Sequence, residues 1–310
     1  MQSILVTGGA GFIGSNLTLR LQELHPKAWI TVIDDFRSGN FKNLQGFRGD
    51  FVAADLSRLD WKAQFQKPCW DAVFHLASIT DTTEHNQFLQ THDNVEAFRK
   101  LLDFIAPLKT PIVYASSAAT YGISGGVNHE DDAPAPANIY AFSKVQLDNL
   151  ARHYTSLHPG LKIVGLRYFN VYGPREAHKG IPASMIYHLA QQMISGKTPR
   201  IFKFGEQMRD FVYVKDIVNY TIRALTAPQS AILNAGSGEP RPFNDIISIL
   251  NKVLGTSMKP EYFDCPYPFY QPHTEADMSN TQRVLGVKSE YSLEKGIQDY
   301  YDSGFLVARK

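Results

Sequence analysis

A tyrosine followed four positions later by a lysine gives this chain a candidate acid–base pair. Tyr140 and Lys144 are one helical turn apart, so a helix here would place the phenol and the ammonium on one face. A nearby ammonium favours phenolate and lowers the pKa of a tyrosine from its usual value of about 10. Such a phenol can take a proton from an alcohol and later return one. The pair alone is common on helix surfaces, so further residues must support it.

A serine near the end of a predicted strand gives that support. Ser117 follows the apolar run 111–115. At the carboxyl end of a strand, its hydroxyl could donate to a substrate oxygen and stabilise the charge that develops there. A serine can also cap the following turn, a role that suits the neighbouring Ser116. Ser117, Tyr140 and Lys144 together predict hydride chemistry on an alcohol or a carbonyl group.

A glycine-rich turn near the start of the chain predicts where a dinucleotide would bind. Gly8, Gly11 and Gly14 form a GxxGxxG pattern between the apolar run 4–6 and a helical pattern over 14–24. Glycines let the backbone turn sharply and approach a pyrophosphate, whose charge the N-terminus of a helix attracts. The intervening Phe12 and Ile13 are candidate contacts with the same cofactor.

The turn after the second predicted strand bears on the choice of dinucleotide. Asp34 lies 20 residues after Gly14, where a carboxylate accepts hydrogen bonds from ribose hydroxyls, which favours NAD. Asp35, Arg37 and Lys42 follow, and a basic side chain there could neutralise the 2′-phosphate of NADP. The residues leave the choice open, and we name NADP first, with NAD as the alternative.

Residues after the third and fourth predicted strands complete the candidate cofactor site. Asp55 and Leu56 follow the third strand, and Leu76, Ala77 and Thr80 follow the fourth. Ligands of open α/β sheets collect at the carboxyl ends of the strands, so these five residues are expected near the dinucleotide.

The hydrophobic pattern predicts an α/β fold with a Rossmann-like, doubly wound parallel sheet. Apolar runs at 4–6, 29–33, 51–54, 72–75, 111–115 and 163–167 alternate with stretches long enough for crossover helices. Later patterns predict helices over 183–194 and 215–225, and strands over 200–204 and 231–235. We assign residues 1–170 to a cofactor domain, to which 206–240 return, and residues 171–205 and 241–310 to a smaller, interleaved substrate domain.

Composition and charge exclude several other classes of protein. The 310 residues include 31 Lys and Arg against 30 Asp and Glu, without a basic run, so no nucleic-acid partner is expected. Cys69 and Cys265 are far apart, which favours neither a disulfide framework nor a zinc site. The chain shows no secretion signal and no apolar run near the roughly 20 residues that span a bilayer. We therefore expect a cytoplasmic protein without a membrane partner.

Several motifs together resemble one known family. The glycine pattern, Ser117, Tyr140 and Lys144 are similar to those of extended short-chain dehydrogenases/reductases. Within that superfamily, ASSAATYG at 115–122, RYFNVYGPRE at 167–176 with HKG shortly after it, and RDFVYV at 209–214 resemble the ADP-L-glycero-D-manno-heptose 6-epimerase family. The resemblance covers nearly the whole chain, and the second motif is the most specific.

This resemblance implies an epimerase that works without net oxidation. The family interconverts the two C6 epimers of an ADP-heptose through transient oxidation by bound NADP or NAD, and so makes a precursor of the lipopolysaccharide inner core. It implies that Lys179 is a second acid or base opposite Tyr140, and that Tyr140, Lys144, Val171 and Lys179 also contact the cofactor. The matched substrate contacts are Ser117, Asn170, His188, Phe202, Gly205, Arg209 and Tyr270. The family also forms homo-oligomers, which we expect here.

Other proteins share parts of this pattern. A sugar-nucleotide 4,6-dehydratase usually carries acidic residues after the active-site hydroxyl, whereas Ala118 and Ala119 stand there. A UDP-hexose 4-epimerase would have the same serine, tyrosine and lysine but no evident need for Lys179. A non-catalytic regulator that senses NAD(P) would tend to lose Tyr140. The heptose 6-epimerase is therefore the preferred hypothesis, and the 4-epimerase is the principal alternative.

Overall fold

The computed structural model describes residues 1–66, 70–81, 86–264 and 271–307, so Cys69, Cys265 and Tyr270 lie outside the described residues. The strands are β1 Ser3–Thr7, β2 Trp29–Asp34, β3 Asp50–Ala53, β4 Ala72–His75, β5 Ile112–Ser117, β6 Val127–Asn128, β7 Ile163–Tyr168, β8 Asn170–Tyr172, β9 Arg200–Phe202, β10 Met208–Tyr213, β11 Ala231–Ala235, β12 Pro240–Pro242, β13 Glu261–Phe263 and β14 Glu275–Ala276. The α-helices are α1 Phe12–Leu24, α2 Trp61–Gln64, α3 Gln87–Ile105, α4 Ile139–Leu157, α5 Met185–Ile194, α6 Val214–Ala224, α7 Phe243–Leu254, α8 Ser279–Leu285 and α9 Leu293–Asp302.

Seven parallel strands form the central sheet, in the order β11-β7-β5-β4-β1-β2-β3. The chain builds outward from β1 to β3 on one side and from β4 to β11 on the other. The direction of building therefore reverses between β1 and β4, which is where ligands of such sheets bind. The predicted Rossmann-like fold class is confirmed.

Helices cover both faces of this sheet, because alternate side chains of a strand point to opposite faces. Ile4 and Val6 belong to one buried apolar cluster, together with residues of α1 and α6, whereas Leu5 belongs to a second cluster with residues of α3 and α4. All three side chains are fully buried, as expected for a parallel strand covered on both sides. This packing holds the carboxyl ends of the strands in line at one edge.

A smaller group of elements follows residue 170. β8, β10 and β12 form a three-stranded sheet, and β9 pairs in parallel with β13. The chain between them returns to the central sheet, where β11 pairs in parallel with β7. Within the described ranges, no helix has both the length and the apolar character needed to cross a membrane.

Two predicted boundaries in this part of the chain were too wide. The helix predicted over 183–194 begins at Met185, because the Ser184 hydroxyl accepts a hydrogen bond from the Tyr187 N–H at 3.2 Å and caps the helix. The strand predicted over 200–204 ends at Phe202, since the Gly205 N–H donates to the Phe202 carbonyl at 2.8 Å and turns the chain. Gly205 has a φ of +73°, a conformation that favours glycine.

Candidate active site

Helix α4 carries the predicted acid–base pair and begins just before it. The Asn138 side chain caps the helix by accepting a hydrogen bond from the Ala141 N–H at 2.8 Å. Tyr140 and Lys144 then lie one turn apart, with the Lys144 Nζ 5.7 Å from the centroid of the Tyr140 ring. The Lys144 ammonium donates to the Ala115 carbonyl at 2.8 Å, which ties the helix to β5.

Ser117 is the last residue of β5 and is hydrogen-bonded to the Tyr140 hydroxyl. Its Oγ also accepts a hydrogen bond from the Ala119 N–H at 3.1 Å, which fixes the side chain at the end of the strand. The structure therefore brings together the serine, tyrosine and lysine that the sequence predicted to act together.

The pKa of the phenol differs from the sequence-based expectation. Burial raises the pKa of Tyr140 above its ordinary value, and the hydrogen bond with Ser117 acts in the opposite direction. Burial also lowers the pKa of Lys144 to about 8, against the effect of the nearby Asp148 carboxylate. Desolvation outweighs the effect of Ser117, so the lowering of the Tyr140 pKa that the sequence predicted is not found.

The glycine turn between β1 and α1 is packed too closely for side chains at Gly8 and Gly14. A Cβ at Gly8, where φ is +71°, would lie 2.5 Å from the Ala77 N, and a Cβ at Gly14 would lie 2.0 Å from the Gly8 carbonyl oxygen. Gly11 caps α1 with no side-chain hydrogen bond, so the first N–H groups of the helix face outward. This cradle, at the switch point of the sheet, fits the pyrophosphate of a dinucleotide.

A cavity of about 580 Å³ joins this cradle to the acid–base pair. Its volume lies within the range usual for small-molecule and cofactor sites. The predicted residues that line it are Gly8, Gly11, Phe12, Ile13, Gly14, Asp34, Leu76, Thr80, Ser117, Tyr140, Lys144, Val171 and Lys179. The described residues thus fit a dinucleotide that extends from the glycine turn to the Tyr140 hydroxyl.

A smaller cavity of about 70 Å³ extends this space past the end of β2. Asp35, Asp55, Leu56 and Ala77 line it, as predicted for cofactor contacts. Gly8 and Asp34 line both spaces, so the two are continuous at the carboxyl ends of β1 and β2.

Lys179 reaches the large cavity from a short 3-10 turn, Ala177–Lys179. Its Nζ lies 5.5 Å from the centroid of the Phe12 ring, and burial lowers the pKa of Lys179 while the nearby Glu176 raises it. The Glu176 carboxylate is fully buried and accepts hydrogen bonds from the Gly173 N–H, the Ser184 N–H and the Ser184 hydroxyl at 3.1, 2.6 and 2.9 Å. This buried carboxylate fixes the loop that presents Lys179.

A second large cavity, of about 750 Å³, lies next to the first. Val171 and Pro182 line both cavities and so form part of a shared wall. The predicted substrate contacts that line the second cavity are Asn170, His188, Phe202 and Arg209. Arg209 Nη1 donates to the Met208 carbonyl at 2.8 Å, which holds the guanidinium at this wall.

Two predicted residues, Lys42 and Gly205, do not line the described cavities, and a third lies outside the described residues. Lys42 is exposed on the 3-10 turn Phe41–Leu44 and is absent from the described linings. Gly205 is buried in the turn after β9, where a Cβ would lie 2.2 Å from the Asn244 Oδ1. Its glycine identity is explained by this turn. Tyr270 lies outside the described residues.

Sequence reasoning missed a buried network behind Lys144. Asp148 accepts hydrogen bonds from the Tyr114 hydroxyl at 2.8 Å and from the Arg167 Nε at 3.1 Å. The spacing of Lys144 and Asp148, again four residues, was a signal that could have indicated this network. The contribution of Arg167 had no local signal, because it depends on the pairing of β7 with β5.

Comparison with known proteins identifies the family. Residues 4–236 match the NAD dependent epimerase/dehydratase family, and the chain belongs to that family. The resemblance to extended short-chain enzymes of this kind is thus confirmed. The chain is similar to the solved ADP-L-glycero-D-manno-heptose-6-epimerase of Helicobacter pylori, with 40% identity over 99% of this chain and 97% of that chain and a TM-score of 0.91.

UDP-sugar epimerases are also similar in structure. A UDP-glucose 4-epimerase from Thermotoga maritima, solved with UDP-glucose, is 27% identical over 97% of this chain and 99% of that chain, with a TM-score of 0.89. A UDP-glucuronic acid 4-epimerase from Bacillus cereus, solved with UDP-glucuronic acid and NAD, is 30% identical over 97% and 98%, with a TM-score of 0.86. These neighbours support an NAD-dependent epimerase, a coarser statement than any single substrate.

Proposed function

We propose that this chain is an ADP-heptose 6-epimerase that converts ADP-D-glycero-D-manno-heptose to ADP-L-glycero-D-manno-heptose with a bound NAD(P). The observation that carries the proposal is that one cavity is lined by the glycine turn, Ser117, Tyr140 and Lys144 and also by Lys179. A second ionisable group beside the acid–base pair is what a reaction at both faces of one carbon needs. The product would be a precursor of the lipopolysaccharide inner core.

The described residues would hold the cofactor along the carboxyl edge of the sheet. The glycine turn and the N-terminus of α1 would bind the pyrophosphate, and Asp34 would face the ribose. When bound, the nicotinamide would accept a hydride from C6 of the sugar and later return it, so that no net oxidation occurs. This fits the neighbours that were solved with NAD.

The chain's own residues would accept and donate the protons of the reaction and orient the sugar. Tyr140 would take the proton of the C6 hydroxyl, while Ser117 would donate a hydrogen bond to the same oxygen and keep it in place. The Lys144 ammonium would stabilise the phenolate that forms, because opposite charges attract strongly at a buried site. These three roles require only the contacts already described around α4 and β5.

Lys179 would serve as the second acid or base. After oxidation at C6, the carbonyl must turn so that its other face can be reduced, and its oxygen then points to a new partner. Lys179 lines the same cavity as Tyr140 but comes from a loop after β8 rather than from α4. Burial lowers the pKa of Lys179 below its ordinary value, which makes it easier for the ammonium to give up a proton.

The second cavity would take the nucleotide part of the substrate. Arg209 would pair with diphosphate oxygens, since a guanidinium binds such groups bidentately. Phe202 would stack on the base or the ribose, with Asn170 and His188 beside it. This proposal keeps residues 171–205 and 241–310 as the substrate-binding part and expects a homo-oligomer.

The substrate assignment is tested by incubating purified protein with ADP-D-glycero-D-manno-heptose without added cofactor and analysing the configuration at C6. Formation of both epimers is expected. If the protein leaves this compound unchanged but interconverts UDP-glucose and UDP-galactose, the 4-epimerase alternative is correct.

The catalytic assignment is tested with Tyr140→Phe, which removes one hydroxyl. Epimerisation should fall about 100-fold or more, because general acid–base groups typically contribute at least that much. The control is Tyr301→Phe, on α9, which should retain activity. Loss of epimerisation in Tyr140→Phe with unchanged biological activity in the cell would instead favour the NAD(P)-sensing regulator.

A further inference from the structure

We propose that this chain selects NAD over NADP. The reason is that the carboxylates of Asp35, Asp55 and Asp93 form ion pairs with the Arg37 guanidinium at the ribose end of the cofactor cavity, so that Arg37 is not available to a 2′-phosphate. The inference rests on the proposed function in one respect, since it assumes that a dinucleotide lies along the glycine turn. It concerns the one basic side chain that lines the described space beside the end of β2.

The end of β2 is built around a buried carboxylate. Asp34 is 7% exposed, and its two oxygens accept hydrogen bonds from the Ala10 N–H and the Phe36 N–H, both at 2.9 Å. These bonds fix the carboxylate where the 2′ and 3′ hydroxyls of an adenosine ribose would lie. A phosphate on the 2′ oxygen would be placed close to this charge.

Arg37 follows on the same turn, and its N–H groups are directed at carboxylates. Its Nη2 lies 3.0 Å from the Asp35 Oδ2 and 3.3 Å from the Asp55 Oδ2, and its Nη1 forms a close ion pair with Asp93. Asp93 belongs to α3, so the guanidinium is held from a neighbouring element as well as from its own turn.

The carboxylates are themselves fixed. The Asp55 Oδ1 accepts hydrogen bonds from the Ser57 N–H at 2.9 Å and the Ser57 hydroxyl at 2.7 Å. The side chain of Asp93 is 9% exposed, and although burial opposes its ionisation, the Arg37 guanidinium holds the pKa of Asp93 below its ordinary value. Both carboxylates are therefore held in contact with Arg37.

Other cations near this cluster are engaged elsewhere or exposed. Arg58 lies 3.5 Å from Asp55 with a side chain that is 80% exposed, and the Lys100 ammonium donates to the Ser57 carbonyl. Asp34 and the three carboxylates around Arg37 outnumber these cations. A 2′-phosphate, which carries close to two negative charges, would have to displace a carboxylate from Arg37 and remain beside the others. A ribose hydroxyl meets no such repulsion and can donate to a carboxylate.

This geometry explains why the prediction that named NADP first is not supported. It depended on Arg37 or Lys42 as a partner for the phosphate. Arg37 is already paired, and Lys42 is exposed on the turn after it, away from the described lining. The Asp34-Asp35 doublet was the more informative part of the sequence, because its second carboxylate contacts Arg37.

Two measurements on the full-length protein test the inference without relying on activity. In the first, the nucleotide released from purified protein by denaturation is identified by mass spectrometry, and NAD is expected. In the second, protein freed of nucleotide is titrated with NADH and NADPH, and NADH should bind about tenfold or more tightly.

The residues are tested with Asp35→Asn and with the double variant Asp35→Asn/Asp55→Asn. Each removes negative charge and releases Arg37 N–H groups, so the preference for NADH over NADPH should narrow by about tenfold in the double variant. A ratio of two affinities on one sample is insensitive to a partly unfolded fraction. The control is Asp131→Asn, an exposed carboxylate outside the described linings, for which the ratio should not change.

Each outcome has a definite meaning. Bound NADP, or equal or tighter binding of NADPH, overturns the inference while the epimerase proposal stands on its own assay. A preference for NADH that survives in the double variant overturns the assignment to these carboxylates. Failure to bind either nucleotide overturns both the inference and the proposed function.

Discussion

Arg167 and Asp148 form an ion pair in the interior of the protein, with 3.1 Å between the Arg167 Nε and the Asp148 Oδ2 and only 1% of each side chain exposed. Arg167 comes from β7 and Asp148 from α4, so the pair joins the helix of Tyr140 and Lys144 to the central sheet. The Arg167 guanidinium also lies 4.7 Å from the Tyr121 ring. Asp148 is thus a positioning residue for the candidate active site.

We predict that Asp148→Asn destabilises the protein by about 3–5 kcal/mol, because a buried guanidinium would lose its charged partner. The variant should also shift the alkaline limb of the epimerisation rate to lower pH, since the Asp148 carboxylate raises the pKa of Lys144. Urea unfolding and a pH–rate profile measure the two effects.

The matched control for this pair is Glu23→Gln. It breaks the exposed Arg20–Glu23 pair, whose N···O distance is 3.0 Å, and should change stability by only about 0.5 kcal/mol. A loss of stability in Asp148→Asn without any shift of the pH profile would contradict the positioning role and leave a structural one.

We predict that Lys144→Met abolishes epimerisation but stabilises the protein at neutral pH. The pKa of Lys144 is lowered by burial from 10.5 to about 8, so holding its charge in the folded state costs about 3 kcal/mol below pH 8. Between about pH 8 and 10.5 the unfolded state binds more protons, so the wild type becomes more stable as pH rises. The difference in free energy of unfolding between Lys144→Met and the wild type therefore becomes smaller over this range. Thermal unfolding at several pH values measures this difference.

The exposed Lys62 on α2 supplies the control for this experiment. Lys62→Met should leave stability nearly unchanged at every pH in the range. Equal stabilisation by both substitutions would mean that added apolar surface, and not removal of a buried charge, is the cause.

The central sheet could be predicted from sequence because its information is local. Ile4 to Val6 are apolar in succession, as a strand buried on both faces requires, and glycines follow where the chain must turn. The same holds for Tyr140 and Lys144, whose spacing alone puts them on one face of α4. The family resemblance, by contrast, supplied Lys179, whose loop position no periodicity predicts.

What could not be predicted depends on contacts between distant segments. Asp93 meets Arg37 only because α3 packs beside the end of β2, across 56 positions of the chain. The pKa of Tyr140 rises because the folded chain removes its hydroxyl from water, an effect that a pair of residues in a sequence does not show. Charge–charge attraction was visible in the sequence, whereas desolvation was not.

We predict that Gly14→Ala prevents dinucleotide binding and destabilises the protein by about 1–3 kcal/mol, because overpacking forces backbone shifts. The added Cβ would lie 2.0 Å from the Gly8 carbonyl oxygen, a backbone atom that cannot rotate away. Gly125→Ala is the control, since a Cβ there meets no described atom within 4 Å. Thermal unfolding and titration with NADH measure both effects, and normal NADH binding by Gly14→Ala would contradict the assignment of this turn to the pyrophosphate.

We predict that His75→Asn makes the protein less sensitive to acid. His75 is buried at the end of β4, stacks on Phe98 and shares a 2.8 Å hydrogen bond with the Thr7 hydroxyl, and burial lowers the pKa of its imidazole from 6.5 to about 3. Between these two values the unfolded state binds a proton that the folded state excludes, so the wild type loses about 5 kcal/mol of stability as pH falls through that window. Asparagine can keep the bond to Thr7 and does not titrate, so the free energy of unfolding, measured in urea between about pH 7 and pH 4, should fall less steeply in the variant.

The control is His153→Asn, at an exposed position, for which the free energy of unfolding should fall with pH as steeply as in the wild type. Parallel slopes for the wild type and His75→Asn would show that the imidazole at position 75 does not resist protonation in the folded protein.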